Sequence, residues 1–488
     1  FGSRFPGARS LCFHMEPPEP RSASGGRAGG SLRRVALISR HLAAGSSADA
    51  HRLQRRPCAS TGAHGGRATV EATAEFLRRR AIGLPPSTLG RSGLQVSPIG
   101  FGCHRLDDTQ EQRNALEVAL KCGCNFIDVA PNYSDGAAER AVGEVLHRVL
   151  SEGQVRREEL VVSTKVGNIV GSGLGLASAS SVGGVTKVRD DVWHCLEPAW
   201  IEEELSRSLE RLRLDCVDVL LLHCPEFASK APGVDMEEVY RRAARAFAHL
   251  ELEVERGRVA RYGVTAAFYP LRPTDPEHLL LERLLEMLPA ANHFEVIQFP
   301  LNFAEPQALL QAHTARNAQG AALDREKGLT APPLAELARK HGLATLVNRP
   351  LEGLYRELRG VLRFSSAAPM NSELQGEDLD ELEAKLTALC APGLGDPEEP
   401  VTEELAAKTA KVLASLGAVD CVLVGMHRVE YVVGIVRLLG QTPPIAPGAA
   451  LDAVKAAHNS ISMWFAMAAV EEADHGTAKD WRLPAREE

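Results

Sequence analysis

No apolar stretch in this 488-residue chain approaches the roughly 20 residues needed to cross a bilayer. The longest, such as Val217–Leu222, are strand-sized, which reads as a protein without an integral membrane segment. An excess of positive charge is missing as well. A formal net charge of −8 and a pI near 6.1 leave no electrostatic footprint for nucleic acid. The cysteines lack metal-site spacing: one residue separates Cys122 from Cys124, and no second pair follows, so no metal is expected. Cys216 and Cys224 flank one apolar run and Cys421 opens another, the placement of small buried hydrophobes in a reducing compartment. Lysine is absent from the first seventy residues, and acids there are few (Glu16, Glu19, Asp49), whereas arginines recur at 33–34, 55–56 and 78–80. Such a composition buries too little apolar area to fold. It sets residues 1–80 apart as a transit-peptide-like segment bound for a plastid or mitochondrion. The alternative is a disordered tail on a cytoplasmic protein.

From about Leu89 the texture changes. Thr88 to Val96 reads as a hairpin with glycines at its turns. Eight apolar runs of strand length follow: Pro98–Gly102, Asn125–Ala130, Leu160–Lys165, Val217–His223, Arg261–Thr265, Glu295–Phe299, Ala344–Asn348 and Val419–Gly425. Between most of them, apolar residues recur at three- and four-residue spacing, as in Ala115–Leu120, Met236–Val254 and Leu405–Leu416, which predicts helices. Strand and helix alternating eight times is the pattern of a parallel (β/α)8 barrel. An open doubly wound sheet is the competitor, but no G-x-G-x-x-G follows the first strand. The barrel is expected over residues 88–440, with a C-terminal helical extension over 441–488 in which Leu451–Val470 reads as a helix. Gly171–Gly184, Ala315–Gly328 and Phe364–Pro400 break the repeat and read as loop insertions. All three follow strands and would lie on the C-terminal face.

Strands of a parallel barrel are covered on both sides and should be almost wholly apolar. A titratable residue ending such a run is therefore informative, and three runs have one: Asp128 with Tyr133 five residues on, Lys165, and His223. The three ends share one rim, so a carboxylate, a phenol, an ammonium and an imidazole converge there. That set suits carbonyl reduction. Hydride addition builds negative charge on an oxygen that needs a proton as the charge forms. A phenol with a pKa of about 10 is a reluctant acid. A neighbouring ammonium eases its ionisation, a carboxylate holds the ammonium, and an imidazole orients the carbonyl. Taken singly, each residue has a structural explanation: an ion pair for Asp128 and Lys165, packing for Tyr133, a backbone hydrogen bond for His223. His104, His194 and His427 receive no catalytic role.

The ordered motifs LGRSGLQVSPIGFG, FIDVAPNY, ELVVSTKVG and DVLLLHCP resemble those of the aldo-keto reductase superfamily, in a likeness running from about Thr88 to about Leu439. The resemblance implies a (β/α)8 barrel, NADP(H) as hydride donor, and an aldehyde, ketone or sugar-type carbonyl, or the corresponding alcohol, as substrate. It also implies Asp128, Tyr133, Lys165 and His223 as the catalytic tetrad, with Tyr133 as general acid. Gln298 matches the family's contact to the nicotinamide amide, and Gly102 permits close backbone approach to the cofactor or simply makes a turn. Thr265 supplies the hydroxyl of a usual Ser-Asn pair, but Ala266 supplies no amide. Asn348 stands where an aromatic commonly stacks. Gly425, Met426, His427 and Arg428 fall where relatives hold the 2′-phosphate, and Gly434-Ile435 replaces a usual Glu-Asn pair. These departures keep a second reading open, a catalytically weakened barrel acting as a nucleotide-binding or regulatory protein.

Overall fold

The computed structural model describes residues 64–80, 83–180, 182–266, 277–313, 331–355, 360–363, 377–390 and 405–474. The barrel lies in the unit formed by 57–177 and 182–488. Its strands are β1 (Ile99–Gly102), β2 (Phe126–Asp128), β3 (Val161–Val166), β4 (Val217–His223), β5 (Val259–Thr265), β6 (Phe294–Pro300), β7 (Ala344–Asn348) and β8 (Cys421–Val424). Each pairs in parallel with its sequence neighbour, and β8 pairs with β1 to close the barrel. All eight fall on the runs read from the sequence, within a few residues at their ends.

The intervening helices have identifiable start signals. Thr109 caps Gln110–Lys121 by accepting from the Gln112 N–H, Asp235 caps Met236–Glu255 through the Glu238 N–H, and Pro198 opens Pro198–Leu212. Two apolar layers result. One lies between strands and helices. The other fills the barrel with Phe126, Val161, Val219, Leu221, Val296, Ala344, Leu346, Cys421 and Leu423, and it includes Leu89, Leu94 and Val96 of the hairpin Ser87–Thr88/Gln95–Val96. The hairpin precedes β1 and closes the N-terminal end. Gly263 admits no side chain, because a Cβ there would lie 1.7 Å from the Val296 carbonyl oxygen, at the register shift between β5 and β6.

The boundary at residue 80 is corrected by the structure. Val70–Arg79 is a helix capped by Thr69, with Phe76 and Leu77 buried. Arg79 pairs with the buried Glu159, and the Ala68 N–H donates to Asp218 of β4 at 2.6 Å. Composition averaged over eighty residues concealed one amphipathic helix of ten. Residues 1–63, where the targeting reading chiefly falls, lie outside the described residues. Truncation to residue 81 should therefore lower the thermal midpoint relative to truncation to residue 64. The expected cost is on the order of 3–6 kcal/mol for re-exposing two large apolar side chains. Equal midpoints would contradict the placement of this helix.

The stretch after β3 is folded. Helix Ser172–Ala179 and an antiparallel sheet of Asn168–Ile169, Thr186–Arg189 and Val192–His194 make up this insertion. The Ala315–Gly328 insertion lies outside the described residues, and of Phe364–Pro400 only helix Glu377–Cys390 is described. The terminal helix spans Pro447–Asp474, with Ala450, Val454, Ala457 and Ile461 buried at helical spacing and His458 Nδ1 3.1 Å from the Phe303 carbonyl oxygen beyond β6. Among the described residues no helix is long and apolar enough to cross a membrane.

Candidate active site

Strand side chains alternate, so the residues that continue the interior face beyond the apolar filling are set by counting in twos. From Phe126 this gives Asp128, from Val161 Lys165, from Leu221 His223, from Val296 Gln298, from Leu346 Asn348 and from Leu423 Gly425. Register adds Gly102 beside Asp128, and Thr265 beside both His223 and Gln298. Every strand thus contributes one residue to the C-terminal rim. Apolar filling below and a polar ring above follow from one periodicity.

The ring is bonded around Asp128. Lys165 Nζ lies 2.6 Å from Asp128 Oδ2 and also donates to the Val129 carbonyl at 3.0 Å. Gln298 Nε2 donates to Asp128 Oδ1 at 3.0 Å, and Gln298 Oε1 accepts from Thr265 Oγ1 at 2.9 Å and from Asn348 Nδ2 at 3.2 Å. Tyr133 comes from the loop after β2 and places its ring 4.8 Å from Lys165 Nζ. Ser134 and Asp135, with φ of 47° and 51°, turn that loop sharply. Such left-handed residues cost on the order of 1–3 kcal/mol each and persist where surroundings enforce them. Here Ser134 Oγ donates to Asp107, while Asp135 accepts from the Ser172 N–H and hydroxyl of the insertion.

Burial governs the proton affinities. It pushes the Tyr133 phenol up to about 12, against the downward pull of Lys165. The sequence expectation that the ammonium would ease ionisation names a real contribution, but desolvation outweighs it. Burial also works against the Lys165 ammonium, yet the Asp128 carboxylate and then Tyr133 more than compensate and raise its pKa. His223 is held well below 6.5 by burial and by Lys165, so its imidazole is neutral. Its carbonyl lies 3.0 Å from His194 Nε2, and Cys224 turns the chain out of β4 with a φ of 53°. Gly167, at φ 137°, leaves room for this contact: a Cβ would lie 2.8 Å from the same carbonyl.

The eighth-strand residues are less gathered. Met426 is turned away from the rim. It is buried, and it lines a small apolar cavity with Ile99, Ala119, Cys124 and Val432, so its side chain packs in the core and only its backbone can face a ligand. Gly425 is exposed, and a Cβ there would meet nothing within 4 Å. His427 stacks edge-on against Tyr431, and Arg428, 3.8 Å from Glu111, precedes helix Val429–Gln441, whose first turn has no side-chain cap. Gly102 approaches the β8 backbone, with Leu423 and Val424 atoms 3.4 Å from the Cβ position.

Two rim residues take a larger part in the site than their sequence context suggests. His104 meets Tyr133 edge-on at 5.0 Å between ring centroids, and burial with Arg105 and Lys165 lowers its pKa to about 4. Its signal was position, two residues past β1 at the C-terminal end of a barrel strand. Asn348, read only as a missing aromatic, is bonded into the ring. Away from the rim, Glu202, His249 and Glu253 come within ligand-like reach of one another. Arg256 pairs with both carboxylates there and Arg258 with Glu253, so guanidinium groups already serve these oxygens.

Buried neutral imidazoles make the fold acid-sensitive. His194 has its pKa lowered to about 4 and His313 to about 3, both chiefly by burial. Unfolded, each binds a proton below about 6.5. Their stabilisation is present above that pH and lost as pH falls from 6.5 toward the folded values. Going from pH 7 to 5 should cost on the order of 1–2 kcal/mol for each imidazole. Denaturant midpoints across that window test this, and a flat profile would contradict it.

Residues 98–270 match the Aldo/keto reductase family. The chain is 33% identical over 150 residues to an NADH-specific methylglyoxal reductase of Escherichia coli (strain K12), covering 30% of this chain and 42% of that protein. It is 25% identical over 334 residues to an NAD(P)H-dependent D-xylose reductase of Scheffersomyces stipitis, covering 61% and 91%. Against a solved structure, aldo-keto reductase AKR11C1 from Bacillus halodurans in its holo form, identity is 20% and the TM-score 0.49, covering 77% of this chain and 96% of the other. The chain spans under half the length of several curated relatives that it matches, at 47%, 42% and 40%.

Proposed function

We propose that this protein reduces an aldehyde, ketone or sugar-type carbonyl to the alcohol, or catalyses the reverse oxidation, with NADPH as the dinucleotide and Tyr133 as general acid. The observation that carries the reading is the Tyr133 ring over Lys165, itself bound to Asp128 at 2.6 Å. The family match and the relatives named as NADH- or NAD(P)H-dependent reductases support it.

The bound dinucleotide would supply the hydride. The chain's own residues handle the proton and the charge. A phenol whose pKa stands near 12 stays protonated at neutral pH and can donate a hydrogen bond to a carbonyl oxygen. As negative charge grows on that oxygen the proton passes to it, and the adjacent ammonium stabilises the phenolate left behind. Asp128 keeps Lys165 charged and in place. Neutral His223 can donate one N–H to the same oxygen and set its direction.

The rim fits a nicotinamide dinucleotide in part. Asn348 Oδ1 is buried without a partner, as a site awaiting a donor would leave it. The uncapped helix at Arg428 suits an anionic group. Gln298, by contrast, already uses its amide on Asp128, Thr265 and Asn348, and this favours the second reading, a weakened barrel that binds nucleotide or regulates. Fluorescence titration with NADPH followed by an aldehyde panel separates the two. His427 and Arg428 lead us to expect tighter binding of NADPH than of NADH. Equal affinities by calorimetry would refute that preference, and affinity for neither would refute the proposed function.

A further inference from the structure

The hydrogen bonds around Gln298 have a direction, and they end on an atom left without a partner. Paired with the Lys165 ammonium, the Asp128 carboxylate accepts at both oxygens. The Gln298 atom facing Oδ1 must then be the donor Nε2, which turns Oε1 to the far side. Oε1 can only accept, and Thr265 Oγ1 and Asn348 Nδ2 both donate to it. Two groups away from the Asp128 charge, the amide of Asn348 is thereby oriented, and Oδ1 is what remains. That atom is buried and has no hydrogen-bond partner. Turning the amide over would not help, because two acceptor oxygens would then face each other. A buried acceptor in this condition costs on the order of 1–3 kcal/mol. It lies at the C-terminal end of β7, in the same polar ring as Lys165, Gln298 and Thr265.

We infer that Asn348 Oδ1 is a specificity-determining atom that accepts a hydrogen bond from a neutral N–H or O–H donor on the bound molecule. The inference rests on the proposed function for the two sources such a donor could have: the carboxamide of a nicotinamide dinucleotide, or a hydroxyl of a polyhydroxylated carbonyl substrate. The orienting charge of Asp128 fixes Asn348 as acceptor toward the ligand. A ligand offering an acceptor at this point is rejected, and one offering a methyl group forgoes the bond.

Asn348→Leu tests this, because Thr265 still satisfies Gln298 Oε1 in the variant. One arm titrates parent and variant, by protein fluorescence, with NADPH and with its reduced 3-acetylpyridine analogue, in which a methyl replaces the amide NH2. The other compares KM for glyceraldehyde and for propanal at saturating dinucleotide. The parent should prefer the donor-bearing partner by about tenfold, the equivalent of one hydrogen bond, in at least one arm, and the variant should lose that preference. The arm that collapses names the source. The thermal midpoint of the ligand-free variant should hold or rise, since an unpartnered buried oxygen has been removed. Both ratios unchanged, with or without a fall in midpoint, would overturn the inference while leaving the proposed function standing. A parent that binds no dinucleotide and reduces no aldehyde would overturn both.

Discussion

Replacing Tyr133 by phenylalanine should cut turnover by about a hundred- to ten-thousandfold, the range for loss of a general acid, with little change in dinucleotide affinity or stability. The substitution removes one oxygen and keeps the ring. Tyr133 is 9% exposed; its ring lies over Lys165 and edge-on to His104, and only the hydroxyl's hydrogen bond with Lys165 is lost with the oxygen. Packing is thus conserved while the proton is removed. Steady-state kinetics beside a thermal melt measure both halves of the expectation. A Tyr133→Phe protein that reduces aldehydes at the parent rate removes the phenol from the mechanism.

Lys165→Met should be as slow and also less stable, by about 3–5 kcal/mol, because it leaves a buried carboxylate without its cation. Asp128 would keep Gln298 as a donor but lose the ammonium at 2.6 Å, with both residues almost fully buried. The phenol would lose the charge that stabilises its conjugate base. In the double variant the kinetic losses should not add, since both residues act on one proton. Denaturant titration separates the stability term from the kinetic one. A Lys165→Met protein of parent stability would contradict the burial of the pair.

Much of this architecture was legible because parallel barrel strands are apolar on both faces, so Asp128, Lys165 and His223 stood out at the ends of otherwise apolar runs. Gln298 and Thr265 were found through resemblance, and register brings both to the same ring. Local pattern could not show what lay across the barrel. The role of Asn348 depends on the orientation of Gln298, which depends on Asp128, 170 residues from Gln298 in sequence. Met426 follows a rim glycine, yet its side chain falls on the helix-facing side of the barrel and packs there. Helix Val70–Arg79 was hidden by the arginine-rich stretch around it. The raised affinity of Tyr133 for its proton was not foreseeable either, since a neighbouring ammonium can be read from sequence and the extent of desolvation cannot.

The most direct test of the account is consumption of NADPH, followed by its absorbance, when the parent protein and Tyr133→Phe are offered a panel of aldehydes, ketones and sugars. Carbonyl-dependent oxidation of NADPH by the parent is expected, falling at least a hundredfold in the variant. NADPH that binds to the parent yet is consumed with no member of the panel would contradict it and would identify a barrel that holds the nucleotide without turning it over.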